Sequence, residues 1–264
     1  MKNQFIKTTI LLAILFTGIV SCSSDADDNL TEEVEEVVEQ EETTGTLHNA
    51  FAEFDVDETT IYLSGSNVVI ETTGLPNHKT PYWSESHPLY IAPTVTSEAQ
   101  MTPTRIDTSN RDNSSTLTVS QNASLASATT ATQLGAIGIA VSGAYLYNDQ
   151  EGNGALDAAA GSLDYSGAHI GPTDYHYHLE PLAFSDDDDK LNGIISDGFF
   201  IYGRKCNSTG TYPTDLDTSG GHTSTTQHTT IAEYHYHIIN ELYTTTGRYL
   251  VFPGPYKGTP NAIR

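Results

Sequence analysis

The chain has 264 residues, of which 11 are basic and 34 acidic, so its formal net charge is −23 with histidine neutral. Binding to nucleic acid needs a basic patch that meets the phosphates, and this composition argues against such a partner. An acidic substrate is not excluded, because a few arginines or a metal ion can reverse the field inside a pocket. The two cysteines are too few for a disulfide-stabilised scaffold.

The first residues have the features of an export signal. Two lysines precede an apolar run over residues 8–20, and Ser21 places a small residue before Cys22. This pattern is typical of a signal peptide, and the apolar run is too short to cross a bilayer as a helix. Ser21 and Cys22 are similar to the lipobox of bacterial lipoproteins. We therefore predict a signal peptide over residues 1–21 and lipid on Cys22, with a plain secretory signal as the alternative.

Residues 22–45 are rich in aspartate and glutamate and poor in apolar side chains. Such a segment cannot bury a core, and its like charges repel one another, so we expect an acidic, disordered tether. Acidic residues just after a lipidated cysteine resemble an export signal to the outer face in some Gram-negative bacteria. The expected location is the outer membrane, with lipid as the sole anchor, at the cell surface or on the periplasmic face.

Residues 46–264 are enough for one sizeable core, and they carry short apolar runs between turn residues. The runs predicted as strands are 52–56, 60–63, 68–71, 137–147 and 194–202, the last two as buried strand pairs. Residues 64–67 predict a hairpin turn, and residues 122–134 are the best helix candidate, weakened by their threonines. The prediction is a mainly β fold with a single domain.

An internal repeat organises this domain. Residues 138–147 align with residues 193–202, with both glycines and the final tyrosine in register. Further along, Tyr-His-Tyr-His at 175–178 (the first tetrad) recurs at 234–237 (the second tetrad). The same order at nearly the same spacing indicates an internal duplication. We expect two pseudo-symmetric halves that face each other and give one histidine pair each to a shared centre.

The tetrads place metal-binding side chains on one face of a strand. Side chains alternate along a strand, so His176 and His178 share one face, as do His235 and His237. Two such strands can offer up to four nitrogens to one ion, which suits zinc, copper or a similar divalent metal. The alternative is a pair of aromatic-rich core strands with satisfied histidines, but two identical tetrads favour a site.

Other side chains are candidates to join this site. His169 and His222 each lie shortly before a tetrad and are candidate further metal ligands. Asp197 stands where the first copy has a serine, which marks either the working half or a turn before Gly198. Arg204 is a candidate clamp for a carboxylate or sulfate, or else a surface arginine.

Two further features have mainly plain interpretations. Cys206 has no intramolecular partner once Cys22 carries lipid, so it is expected to be a buried small apolar residue, with a catalytic thiol as the alternative. The acidic run at 186–189 can in principle bind calcium through its carboxylates. A solvated acidic loop is the favoured interpretation of that run.

The ordered motifs resemble those of the YHYH-domain family over about residues 60–243. The matching segments are 74–78, the glycine strand that ends at 147–148, the first tetrad, 197–203, 216–217, 221–222 and the second tetrad. The family often has a cysteine before each tetrad, and residues 218–222 lack it, which puts a disulfide there in doubt. The chain is also similar to lipid-anchored oligosaccharide dehydratases of marine bacteria that degrade ulvan.

That second resemblance implies a lyase that eliminates water from the uronic-acid end of acidic oligosaccharides and leaves a 4,5-unsaturated sugar. The reaction needs a base, an acid and positive charge on the carboxylate. The candidate catalytic residues are His176, His178, His235, His237, Tyr175, Tyr234, Arg204 and Asp197. The candidate substrate-binding residues are His78, Trp83 and Tyr202.

Two other functions compete with the lyase. One is a metal-binding envelope lipoprotein without catalysis, whose histidines crowd around an ion with no open cleft. The other is a hydrolase with metal-activated water. A lyase is expected to have an open groove with aromatic and basic residues beside the histidines.

Replacement of Cys22 by alanine tests the predicted anchor, because it removes the sulfur that lipid would modify. The variant should no longer incorporate labelled fatty acid, and it should leave the membrane fraction. Ser23→Ala is the matched control and should keep both properties. Continued labelling of the Cys22→Ala protein would contradict the lipobox interpretation.

Overall fold

The computed structural model describes residues 45–93, 104–152 and 154–264. The predicted signal peptide and residues 22–44 of the predicted tether lie outside them. No helix in the described part is long and apolar enough to cross a membrane. The described helices are short 3-10 segments at Asn49–Glu53, Leu156–Ala158 and Ala160–Ser162. The fold is therefore mainly β, as the sequence predicts.

Fifteen strands are present in the described residues, and they form two main sheets and two short ribbons. The strands are β1 (Thr59–Ser64), β2 (Asn67–Thr72), β3 (Ser115–Ser120), β4 (Gly138–Ala140), β5 (Tyr145–Leu146), β6 (Gln150–Glu151), β7 (Gly154–Ala155), β8 (Ala168–Ile170), β9 (Tyr175–Tyr177), β10 (Leu191–Ile195), β11 (Phe200–Tyr202), β12 (Gly221–Thr226), β13 (Thr229–His237), β14 (Leu242–Tyr243) and β15 (Arg248–Tyr249). Strands β6 and β7 form one ribbon, and β14 and β15 form the other.

The first sheet is an antiparallel meander of β1, β2 and β3. The predicted hairpin turn between β1 and β2 is confirmed, with Gly65 at a φ of +60°, where a side chain is strained. Val68 pairs with Val119, and Ile70 pairs with Leu117. All four are buried, so this sheet supplies one apolar layer of the core.

The second sheet has eight strands in the order β12-β13-β11-β10-β4-β5-β9-β8. Strands β4 and β10 pair antiparallel at its centre. From β4 to the edge, β5 pairs antiparallel, β9 pairs parallel with β5, and β8 pairs antiparallel with β9. The other half repeats this pattern from β10 through β11 and β13 to β12. Ile139 lies opposite Ile194, its counterpart in the repeat. The sheet therefore has a pseudo-two-fold axis between these isoleucines, and the predicted internal repeat is confirmed.

Both halves turn from the inner strand to the next through the same tight reversal. Gly143 and Gly198 have φ of +95° and +92°, a region that L side chains rarely adopt. The amide of Gly143 donates to Ala140 O at 3.0 Å, and that of Gly198 donates to Ile195 O at 2.8 Å. The predicted buried strand pairs at 137–147 and 194–202 are these two hairpins.

The eight-stranded sheet has an apolar layer on each face. On one face, Ile139 and Ile194 pack with Val68, Ile70 and Leu117 of the three-stranded sheet. On the other face lie the tyrosines of the tetrads together with the C-terminal segment; the members include Tyr175, Tyr177, Tyr236, Val251, Phe252 and Tyr256. Alternation along the tetrad strands therefore directs tyrosines and histidines to opposite faces.

Two predicted elements are wrong. Residues 52–56 do not form a strand, because the 3-10 helix Asn49–Glu53 occupies this region, with His48 Nδ1 accepting from Ala50 N at 3.1 Å. Residues 122–134 do not form a helix. Ala126 and Thr130 instead donate backbone hydrogen bonds to the C-terminal segment. The threonines disfavour helix, and this partner gives their backbone an extended alternative.

Gly138→Ala tests the central pairing. A Cβ at this position would lie 2.6 Å from Ile194 O, so β4 and β10 would have to separate. Alanine normally gains about 0.5–1 kcal/mol over glycine inside a strand, but steric overpacking costs about 1–3 kcal/mol. We expect a net loss of stability, measured as the free energy of unfolding in urea.

Gly161→Ala is the matched control, because no atom lies within 4 Å of its added Cβ. It should unfold at the same urea concentration as the unmodified protein or at a slightly higher one, because alanine loses less conformational entropy than glycine on folding. Equal stability of the two variants would show that the inter-half pairing tolerates a side chain.

Candidate metal centres

Two groups of four potential ligand atoms occur among the described residues, one in each half of the eight-stranded sheet. The first cluster is Glu151, His169, His176 and His178, and the second cluster is Cys206, His222, His235 and His237. Within each cluster, the four ligand atoms lie within 4.8 Å of one another. Each histidine tetrad thus has its own candidate centre.

The prediction that the two tetrads share one centre is wrong. Their strands, β9 and β13, are separated in the sheet by β5, β4, β10 and β11. The duplicated unit carries a whole cluster rather than half of one. The third histidine comes from the neighbouring hairpin strand, which makes each half self-sufficient.

Hairpin register brings the third histidine to each cluster. His169 on β8 lies directly opposite His176 on β9. In the other half, His222 on β12 lies directly opposite His235 on β13. Residues opposite each other on an antiparallel pair have side chains on the same face. The candidate ligand roles of His169 and His222 therefore agree with the geometry, although in separate clusters.

The fourth member of each cluster comes from the segment that follows the inner hairpin. Glu151 lies four residues after Tyr147, and Cys206 lies four residues after Tyr202. The two tyrosines are counterparts in the repeat, so a carboxylate and a thiol occupy the same place in the two halves. Glu151 Oε1 lies 2.9 Å from both His169 Nε2 and His178 Nε2. Cys206 is buried as predicted, but it lies among ligands rather than apolar atoms.

Backbone carbonyls set the tautomer of the tetrad histidines. His176 Nδ1 lies 2.9 Å from Asp174 O, and His178 Nδ1 lies 2.5 Å from Asn148 O. A carbonyl oxygen only accepts, so each Nδ1 carries the hydrogen and each Nε2 keeps its lone pair. The second tetrad repeats this arrangement, with His235 Nδ1 at 3.0 Å from Glu233 O and His237 Nδ1 at 2.7 Å from Gly203 O.

The Nε2 lone pairs then point at one another. His176 Nε2 lies 2.9 Å from His178 Nε2, and His237 Nε2 lies 3.2 Å from His222 Nε2. Two acceptors in contact repel each other unless a cation lies between them. A tetrahedral zinc ion with bonds of about 2.0–2.1 Å holds its nitrogens about 3.3 Å apart. His169 Nε2 and Glu151 Oε1 are also buried, and neither has a hydrogen-bond partner outside the cluster. The donor sets fit a metal ion.

Burial keeps three of the tetrad histidines neutral. It lowers the pKa of His176 well below its usual range, and the neighbouring imidazoles lower it further. It also lowers the pKa of His235 to about 4 and that of His237 to about 3. Neutral imidazole is the form that binds metal, so both clusters are ready for an ion at neutral pH.

The third histidine of each cluster has a different support. His169 Nδ1 lies 2.8 Å from Ser162 Oγ, and His222 Nδ1 lies 2.8 Å from Asp215 Oδ1. A carboxylate only accepts, so it fixes a hydrogen on His222 Nδ1 and leaves Nε2 for the cluster. Partners of this kind orient a ligand and raise its basicity.

The first cluster borders a cleft of about 540 Å³. The lining residues are Leu134, Gly135, Tyr147, Gln150, Glu151, Gly152, Gly171 and Pro172. The Tyr147 ring stacks on His176 with centroids 3.7 Å apart. Gly171, which lines the cleft, lies next to the histidines, because a Cβ on it would be in van der Waals contact with His169 Cε1 at 3.5 Å. In the second cluster all four members are buried.

The tetrad tyrosines lie away from the clusters, on the opposite strand face. Tyr175 donates to Asp164 at 2.7 Å, and Tyr234 donates to Asp217 at 3.2 Å. These aspartates also accept amide hydrogen bonds from Ser166 and Ser219, in the turns that directly precede β8 and β12. The two candidate catalytic tyrosines therefore tie the turn to the strand in each half.

Arg204 and Asp197 are also engaged elsewhere. Arg204 Nε lies 2.9 Å from Glu180 Oε2, and its guanidinium lies over the Tyr249 ring. It is buried, so it is neither a surface arginine nor free to clamp a substrate. Asp197 accepts from the Tyr236 hydroxyl at 2.5 Å, where the first half has a serine.

The candidate substrate-binding residues are spread over the core. His78 Nε2 lies 2.5 Å from the Tyr177 hydroxyl, and Trp83 Nε1 donates to His78 O at 3.2 Å. The Tyr202 ring packs edge-on against His235 in the second cluster, with centroids 5.2 Å apart. None of the three lines the cleft beside the first cluster.

The acidic run at 186–189 has protein partners. Asp187 lies 3.0 Å from Lys205 Nζ and 2.7 Å from the Tyr212 hydroxyl. Asp188 accepts from Ser185 at 3.0 Å. These contacts agree with an ordinary surface loop.

Sequence reasoning missed Glu151, Ser162 and Asp215, and it gave Cys206 a different role. The signal was present in the repeat, because the offset that aligns Gly138 with Gly193 also aligns Glu151 with Cys206. Ser162 corresponds to Asp215 in the same way, because each lies seven residues before the third histidine of its cluster. A carboxylate aligned with a thiol is easily overlooked in a search for identical letters.

The comparisons with known proteins support one of the two family resemblances, over part of the chain. A family model described as YHYH protein matches residues 116–215, which include β3 to β11 and the first tetrad. No curated protein and no solved structure gives a significant match. The chain is thus similar to the YHYH family over this segment, and the resemblance to the ulvan dehydratases stays a prediction.

The lowered histidine pKa values predict an acid-sensitive apoprotein. As pH falls below about 6.5, the unfolded chain protonates His235 and His237, whereas the fold resists until their pKa values of about 4 and about 3. The metal-free protein should therefore lose about 1.4 kcal/mol of stability per pH unit per histidine in this window. Urea unfolding across the window measures this loss.

His237→Gln is the matched variant for this measurement, because it removes one of the titrating groups and keeps a polar side chain. The difference in the free energy of unfolding between the variant and the unmodified protein should change by about 1.4 kcal/mol per pH unit. A difference that does not vary between about pH 6.5 and about pH 4 would contradict the pKa assignment.

Proposed function

We propose that the protein is a metal-dependent enzyme whose working centre is the first cluster. This proposal rests on one observation: three buried imidazoles with converging Nε2 atoms lie beside an open cleft, with Glu151 at the edge of the cleft. Catalytic zinc sites use three protein ligands and keep one position for substrate or water. His169, His176 and His178 would hold zinc or a similar divalent ion.

The proposed reaction is elimination of water from the uronic-acid end of an acidic oligosaccharide, such as those from ulvan. The C5–H bond breaks, its electron pair forms the C4–C5 double bond, and the C4 hydroxyl leaves as water. A bound ion would supply positive charge for the substrate carboxylate, which becomes enolate-like as the proton leaves. The product is a 4,5-unsaturated sugar.

Two side chains at the cleft suit the proton transfers. The Glu151 carboxylate lies at the cleft edge and is assigned as the base for the C5 proton. Burial raises the pKa of Tyr147 to about 12, so its phenol stays protonated and can donate to the leaving hydroxyl. Stacking on His176 fixes the ring of this tyrosine beside the proposed ion site.

One basic side chain lies near the cleft. Arg111 is partly exposed, lies 2.8 Å from Asp174, and is close enough to Tyr147 for their charges to interact. An aromatic ring and a basic side chain beside the histidines are the features expected of a lyase groove. A lipid anchor on Cys22 would hold this centre at the outer membrane, where oligosaccharides arrive.

The second candidate is metal binding without catalysis. It is favoured by the burial of every histidine in both clusters. A metal-dependent hydrolase would use the same three imidazoles with a bound water. The product separates these functions, because only elimination creates a conjugated double bond that absorbs ultraviolet light.

The pseudo-symmetry of the sheet supplies matched variants for the activity test. His176→Ala removes one of the three proposed metal ligands, so it should slow formation of the unsaturated product by more than the about 10–100-fold that loss of a ligand's supporting partner typically costs. His235→Ala, its counterpart in the repeat, should leave most of the specific activity of folded protein. Absorbance of uronate-ended oligosaccharides with each variant measures this contrast.

A chelator completes the test. Removal of metal should abolish activity and lower the melting temperature, because an ion bound only by the native state stabilises it. Hydrolysis without ultraviolet absorbance would favour the hydrolase, and metal binding without any product would favour the binder. Full activity of folded His176→Ala protein would refute the assignment of the working centre.

A further inference from the structure

We propose that the second cluster is a separate, closed metal site that takes a zinc-class ion through three imidazoles and the Cys206 thiolate. Its role is structural: the ion joins β12, β13 and the segment after β11. The ligands are His222, His235, His237 and Cys206. The site differs from the first cluster in its ligand atoms, in its access to solvent and in its proposed role.

The second cluster has the number and type of ligands that a closed zinc site needs. Closed zinc sites have four protein ligands, and combinations of cysteine and histidine are typical. A thiolate is a soft ligand that favours zinc over the hard cations magnesium and calcium. Cys206 Sγ lies 3.5 Å from His222 Nε2, which places sulfur beside the converging nitrogens.

The surroundings of the sulfur suit its anionic form. Ser208 Oγ lies 3.1 Å from Cys206 Sγ, and Ser224 Oγ lies 3.4 Å from it. Both hydroxyls can donate to a thiolate, which is the form that binds metal. The backbone fixes the cysteine too, because Cys206 N donates to Thr211 O at 2.9 Å and Gly210 N donates to Cys206 O at 2.8 Å.

A carboxylate supports the site where the first cluster has a hydroxyl. Asp215 lies 2.8 Å from His222 Nδ1, on the side away from the cluster. A carboxylate behind a metal-binding histidine raises its basicity, and loss of such a partner typically weakens binding by about 10–100-fold. The second site should therefore hold its ion more tightly than the first.

Access decides between structure and catalysis. Cys206, His235 and His237 are at most 2% exposed, and His222 is 8% exposed. The Tyr202 ring packs edge-on against His235, whereas the corresponding Tyr147 lines the cleft in the first half. An ion in the second site would have four buried protein ligands, which leave no coordination position for a substrate.

Cobalt binding tests this proposal directly, because cobalt in a zinc site with a thiolate ligand shows a charge-transfer band in the near ultraviolet. The full chain carrying Cys22→Ala is used, which leaves Cys206 as the sole thiol. The metal-free protein is titrated with cobalt while the band and the number of bound ions are recorded. We expect two ions per chain, with the thiolate band complete after the first.

Matched variants of the two clusters separate the sites. Cys206→Ser should lose the thiolate band and lower the melting temperature of the loaded protein, whereas Glu151→Gln should keep the band. Asp215→Asn should weaken the cobalt affinity read from the band by about 10–100-fold. Because the band reports only the second site, these results are independent of the proposed enzyme activity.

A second measurement covers the case in which Cys206→Ser does not fold. Zinc should protect Cys206 of the Cys22→Ala chain from a thiol reagent, and zinc removal should expose it. Cobalt binding to folded protein without a thiolate band, or thiol reactivity that zinc does not change, would overturn the proposal.

Discussion

The structure depends on the antiparallel pairing of β4 with β10, which joins two copies of one unit into a single sheet. Gly138 and Gly193 allow this pairing, because a Cβ on either would meet a backbone carbonyl oxygen of the opposite strand. Ile139 and Ile194 face each other across the axis, and both are fully buried. A side chain at either glycine would separate the halves and expose the layer between the two sheets. The glycines recognised in the sequence as repeat markers thus have a steric role at the centre of the fold.

The same axis explains why there are two clusters and why they differ. Each copy carries a hairpin that holds three histidines, so duplication produced two complete histidine sets at opposite edges of the sheet. Backbone carbonyls set the tautomer of the tetrad histidines, and a carbonyl contact of this kind survives changes of side chain. Divergence could therefore act on the remaining positions. Glu151 in one half corresponds to Cys206 in the other, and Ser162 corresponds to Asp215, while the imidazole geometry is retained.

Sequence reasoning predicted the β class, the repeat, the central hairpins and the histidine faces, because alternation and positive-φ glycines are local signals. It did not predict where the tetrads lie, since this depends on strand order. A parallel pairing of β5 with β9 and of β11 with β13 places the tetrads far apart. It also missed Glu151, because a loop carboxylate has no periodicity. The strand expected at 52–56 was wrong for a similar reason: His48 caps a short helix there through a contact that a propensity argument does not contain.

Charge explains why the proposed function of the first cluster requires an ion. The chain carries a net charge of −23, and the first cluster without metal adds a carboxylate to three neutral imidazoles. An acidic oligosaccharide would be repelled by such a site. A divalent ion reverses this locally, because it leaves the cluster with a net single positive charge in a partly buried position where screening is weak. Arg204, the cation expected to meet the substrate, is already neutralised by Glu180 in the core. In the proposed function, an acidic protein therefore recognises an acidic ligand through the ion itself, with the second cluster keeping its own charge out of reach.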